Sequence, residues 1–115
     1  MQFALLIYDD EKRWIRQGKA EYPRAELQEY REFSQEYASA IQGGKALQPC
    51  STAKTVRVRD GKPLVTDGPF AETKEQLGGF YLVEAGDANE AAKIASKIPG
   101  ARYGSVEVRP IMTFS

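Results

Sequence analysis

The chain has no histidine in its 115 residues, so the commonest general base and the commonest metal ligand are both missing. It has one cysteine, Cys50, which excludes an internal disulfide and, with no histidine to pair with, argues against a thiolate nucleophile. There is no excess of charge. Sixteen basic residues balance sixteen acidic ones, so the chain carries no general electrostatic footprint for nucleic acid or an anionic membrane, and it shows no helix-turn-helix pattern. Long apolar runs are absent too. Phe3 to Tyr8, before the acids Asp9, Asp10 and Glu11, is too short for a membrane span or a signal peptide, which predicts a cytoplasmic protein. Repeats, linkers and low-complexity tracts are missing, and the length suits one domain over 1–115, small enough to gain from a partner copy.

What is present reads as alternating strands and helices. Phe3-Ala4-Leu5-Leu6-Ile7-Tyr8 is apolar on both faces, the pattern of a strand covered on both sides. The three acids after it read as a solvated strand end rather than a cation site, because adjacent side chains of an extended chain diverge. Lys12 to Tyr22 is a polar connection anchored by Trp14 and Ile15. Pro23 opens a helix whose apolar stripe runs through Leu27, Tyr30, Phe33, Tyr37 and Ile41, with Gly43-Gly44 as its stop and Lys45 to Gln48 as a short strand.

Thr55 to Arg59 and Lys62 to Thr66 flank Asp60-Gly61, the preferred two-residue hairpin turn, with Pro63 marking an edge strand. Asp67-Gly68-Pro69-Phe70 is then a shaped loop with a carboxylate at its start, and Ala71 to Gln76 reads as one helical turn. Phe80 to Glu84 is a second strand apolar on both faces. Asp87, with Glu90 three residues later, caps a second helix whose narrow stripe is Ala91, Ile94, Ala95 and Ile98, ended by Pro99-Gly100. Val106 and Val108 of the last strand face the core, with Glu107 and Arg109 on the other side.

The expected fold class is therefore α+β, a ferredoxin-like βαββαβ unit with an inserted β-hairpin. Both helices lie on one sheet face. The apolar second face then predicts a homodimer through the open sheet face.

The stretch VRVRDGKPLVTDGPFAETKEQLGGFYLVE, with ALQP before it and IPGARYGSVEVRP after it, resembles the DGPF branch of the YciI-related family from the first strand to Arg109 and Pro110. The resemblance implies a bacterial dimeric α+β barrel, commonly encoded beside extracytoplasmic-function sigma factors, with no settled activity. In YciI-like relatives a histidine of the first helix and an aspartate near the dimer cleft form the proposed active site. Here Gln28, Glu29 and Glu32 occupy the histidine's region, and the aspartate role falls to Asp67.

Acid-base chemistry of that kind would rest on a buried Asp67, with Gly68, Pro69 and Phe70 shaping its loop. Tyr8 or Tyr81 would assist, and Arg102 or Arg109 would hold a small polar or anionic ligand. No cofactor or metal is called for. The same residues have structural readings: Asp67 capping its own turn, Arg109 paired with Glu107, and Glu72, Lys74 and Glu75 as a solvated turn. Three functions follow: a small-molecule-binding or cofactor-independent enzyme-like dimer, an interaction protein in a sigma-factor pathway, and a structural dimeric scaffold.

Overall fold

Strand β1 (Gln2–Asp9) buries every second residue, and that alternation sets the rest of the molecule. Phe3, Leu5 and Ile7 point to one face, where they meet Phe33, Val83, Ala91, Ile94 and Ile98 in a single core. Each large apolar side chain withdrawn there stabilises the fold by about 1.5–3 kcal/mol. The computed structural model describes residues 1–114.

β1 is followed by a small hairpin, β2 (Ile15–Arg16) and β3 (Lys19–Ala20), which brings Trp14 into the interior. Helix α1 (Arg24–Glu36) leads to β4 (Ile41–Ala46), and the arm β5 (Lys54–Arg59) and β6 (Lys62–Asp67) comes next. β7 (Gln76–Glu84), α2 (Ala88–Ala95) and β8 (Ser105–Pro110) complete the order. The main sheet runs β4-β7-β1-β8 with antiparallel neighbours, and the core contacts place both helices on one face. This is the α+β ferredoxin-like arrangement. Among the described residues no helix is long and apolar enough to cross a membrane.

α2 begins as its capping sequence predicts, with Asp87 Oδ1 accepting the Glu90 N–H at 2.8 Å. Glu90 answers the N–H of Gly86, one residue before the cap. Asp60 (φ 51) and Gly61 (φ 74) supply the two positive φ angles that turn the hairpin arm.

Three local readings are corrected. α1 ends at Glu36 without a glycine, and Ile41 already pairs with Val83 in β4. Gly43-Gly44 lies inside that strand. The reason is close approach: a Cβ on Gly44 would sit 2.6 Å from the Phe80 carbonyl oxygen. Ala71 to Gln76 forms bends rather than a helical turn, and Gln76 already belongs to β7. Asp9 is not a solvated strand end, because it continues the inward register of Phe3, Leu5 and Ile7 and is buried.

The arm is the extended part of the molecule. Every residue of β5 and β6 except Thr55 is exposed, and the radius of gyration is 15.9 Å. A compact chain of this length has about 13 Å. Asp67 therefore ends a strand that stands away from the main sheet.

Candidate functional site

The space between α1 and the β4-β7 edge of the sheet is left open by glycine. Gly44, Gly78 and Gly79 contribute no side chain to its floor, and the result is a cavity of about 300 Å³. A Cβ on Gly78 would lie 3.9 Å from Trp14 Cζ2 and 4.0 Å from the Tyr22 hydroxyl, so the missing side chain is part of the void. Trp14 and Tyr22 stack at 4.8 Å on one wall, and Leu27, Tyr30 and Tyr81 supply further apolar surface.

Two carboxylates line this mostly apolar space. Asp9 is 7% exposed at the end of β1, and Glu26 is 4% exposed in the first turn of α1. Both are held by Arg13, whose guanidinium donates to Asp9 Oδ2 at 2.6 and 2.9 Å and to Glu26 Oε1 at 2.9 Å. The other oxygen of each, Asp9 Oδ1 and Glu26 Oε2, is buried with no hydrogen-bond partner. Buried acceptors are nearly always satisfied, so two orphaned oxygens on residues that border one cavity mark a place where donors are wanted.

The charges of the site act on its other ionisable groups. Its bonds to Asp9, and then to Glu26, hold the Arg13 guanidinium more firmly protonated than usual despite partial burial. Arg13 also lies over the Tyr103 ring at 3.8 Å. The Tyr22 phenol is pushed up to about 12, first by burial and then by the negative charges of Glu26 and Asp9. Burial likewise raises Tyr30, against a hydrogen bond from the Gly100 N–H, and raises Tyr81. Burial and Glu11 raise the Cys50 thiol, which keeps it from being a ready nucleophile.

The tyrosine shift has a direct consequence for stability. Because the folded-state value of Tyr22 lies above the ordinary 10.0, the unfolded chain releases its proton first. Stability is thus unaffected by this group below pH 10 and falls as pH rises from 10 to about 12. Urea unfolding at pH 9 and pH 11 is expected to show a smaller loss in Tyr22→Phe than in the wild type. Equal losses would mean that the phenol is not held in its neutral form by the fold.

The acids after β1 diverge, as extended geometry requires. Asp9 turns inward, Asp10 Oδ1 caps the Lys12 N–H, and Glu11 Oε2 accepts the Cys50 N–H at 3.1 Å. Among the described residues no group of three or more His, Cys, Asp and Glu converges on one point.

Of the residues singled out in the sequence, Tyr81 lines this cavity and packs its ring 5.1 Å from Phe33. Asp67 does not. Its side chain is 86% exposed and bonds Lys54 Nζ at 2.6 Å across the arm. Gly68 (φ 92) turns the chain there, with its N–H donated to Ala53 O, and Pro69 and Phe70 are exposed. Arg102 donates to Glu29 from the flank of α1, Arg109 pairs with Glu107 on β8, and Tyr8 lies half-buried on the face opposite the helices. The structure brings none of these into the Arg13 cluster.

Asp9, Arg13 and Glu26 are the residues that sequence reasoning missed, and the two carboxylates carried a signal. Asp9 keeps the period-two phase of β1's buried residues. Glu26 lies one turn ahead of Tyr30, Phe33 and Tyr37 on the same helical stripe. A carboxylate in the phase of a core face is either paired or functional.

Comparison with known proteins covers the whole chain. The model of the YCII-related domain matches residues 1–115. An uncharacterised protein of Rhizobium meliloti (strain 1021) is 37% identical, over 99% of this chain and 94% of that protein.

Proposed function

The chain belongs to the family of YCII-related domains, and from that premise we propose that it is a small-molecule-binding, enzyme-like protein. Its site is the cavity lined by Asp9 and Glu26 rather than the Asp67 loop. The observation that carries this reading is the pair of buried carboxylates, each with one unpartnered oxygen, in a largely apolar space of about 300 Å³. A structural ion cluster would use its acceptors within the protein. Here half of them are left for something else.

In a chain without histidine, carboxylates are the natural bases. Asp9 or Glu26 would take a proton from a bound molecule and return it, with Arg13 holding both in place. Tyr22, kept neutral by burial and by the same carboxylates, would serve as a hydrogen-bond donor. The test is an amide-resolved NMR screen of one-ring fragments spanning cationic, neutral and anionic classes. Binders should shift Ile7, Trp14, Gly78 and Gly79 and lose those shifts in Glu26→Gln. A screen in which no class moves these four residues would rule the site out.

The proposed assembly is a homodimer through the open sheet face. Leu6 and Tyr8 of β1 share that face with Phe80 and Leu82 of β7, all half-buried in one protomer, while both helices occupy the other side. Leu82→Glu is expected to turn a sedimenting dimer into a monomer, since an unpaired charge at the centre of an apolar interface costs several kcal/mol, about 2–5. An unchanged sedimentation coefficient in that variant would place the interface elsewhere.

A further inference from the structure

We infer that the cavity takes a small organic cation, a protonated primary amine carried on a flat, one-ring apolar body. This rests on the reading of the cavity as a ligand site and adds to it the chemical class of the ligand.

The charge around the cavity is uneven. From β1 comes Asp9, from α1 Glu26, and from the turn after β1 Arg13, which bridges them. Lys45 of β4 also borders the space, but it pairs with Phe80 in the row that holds Leu6, on the sheet face away from the helices. Alternation therefore directs its side chain out of the cavity, so that it lines the floor with backbone alone. The remaining ionisable lining groups, Tyr22, Tyr30 and Tyr81, stay neutral. Two carboxylates against one guanidinium leave one negative charge without a counterion.

Hydrogen bonding points the same way. Each carboxylate spends one oxygen on Arg13 and keeps one buried and unpartnered. A buried acceptor left without a donor costs about 1–3 kcal/mol, which a bound donor restores. An ammonium group has three N–H donors and a positive charge, so it offers both the donors and the charge that the two carboxylates lack. An alcohol has one donor. A carboxylate or phosphate has none when ionised and adds repulsion.

The walls select the rest of the molecule. The stacked Trp14 and Tyr22 rings, with Tyr30 and Tyr81, present aromatic surface that favours both a flat body and a nearby cation. A volume of about 300 Å³ is at the small end of ligand cavities, enough for one ring and a short arm.

Benzylamine, benzyl alcohol and benzoate share one ring and one arm and differ in charge and donors, so they isolate the class. Trp14 is the only tryptophan and its fluorescence reports binding directly. Benzylamine is expected to bind saturably and at least about tenfold more tightly than benzyl alcohol, the ratio that corresponds to one charge-assisted hydrogen bond. Benzoate should not bind. Glu26→Gln should remove most of the preference for the amine, and Gly78→Val, which fills the void without touching a charge, should abolish binding while the protein still melts cooperatively. Benzoate or benzyl alcohol binding as well as the amine, in a Gly78-sensitive way, would overturn the cation and leave the cavity standing as a site. Failure of all three probes to bind would overturn the cavity reading itself. The comparison of probes needs only the wild-type protein, so it holds even where a carboxylate variant does not fold.

Discussion

Arg13→Met is expected to lower stability by about 3–5 kcal/mol, the cost of leaving buried charge uncompensated after one partner is removed. Two carboxylates, 7% and 4% exposed, which share one guanidinium nitrogen, would be left close together with no cation between them. The loss should appear as a fall in melting temperature of roughly 10–20 °C for a domain of this size. The methionine keeps the length and much of the packing of the arginine stem, so the effect reports charge rather than a void. Adding Asp9→Asn and Glu26→Gln to Arg13→Met should recover a large part of the loss, because the repulsion goes with the charges. A triple variant no more stable than Arg13→Met alone would show that the Tyr103 stacking and the stem packing carry the effect instead.

Gly104→Ala should be the most damaging single methyl in the chain. Where the chain enters β8, a Cβ at Gly104 would fall on the Tyr8 carbonyl oxygen and lie 2.9 Å from Asp9 Cα. Both obstacles are backbone. Neither can rotate away as a side-chain tip can, so β1 must move or the Tyr8–Ser105 pair at its end must open. Overpacking of this kind costs about 3 kcal/mol, a fall of roughly 10 °C in melting temperature. Asp9 moves with Tyr8, so amine binding should weaken in any Gly104→Ala protein that still folds. Gly78→Ala is the control, because its Cβ meets nothing closer than 3.9 Å and should leave melting within about 2 °C of the wild type. Equal melting curves for the two variants would show that the close approach at Gly104 is not a constraint.

Much of the architecture was legible in local pattern. The alternation of Phe3, Leu5 and Ile7, the Asp60-Gly61 turn and the Asp87 cap each depend on neighbours within a few residues, and each element forms where its pattern places it. The apolar period of two or near four then determined which faces turn inward, and with them the order of strands and helices. The glycines were less legible. Gly43-Gly44 has the composition of a helix stop, but the tightness that requires a glycine at 44 comes from Phe80, on a strand that only sheet pairing brings alongside.

The site was written in the sequence only in part. Asp9 and Glu26 sit in the buried phase of their own elements, which marked each of them as unusual, while the Asp67 motif drew attention by its composition and lies on an exposed arm. What the amino-acid sequence determined by itself was the set of elements, their inward faces and the lack of histidine that leaves proton chemistry to carboxylates and phenols. The tertiary structure alone decided that Arg13 joins Asp9 to Glu26, that two acceptor oxygens are left over, and that Gly44, Gly78 and Gly79 leave a void beneath Trp14 and Tyr22. The physical reason is range: periodicity and turn chemistry act between near neighbours, whereas a cavity and its unpaired charge are what remains after distant elements have packed.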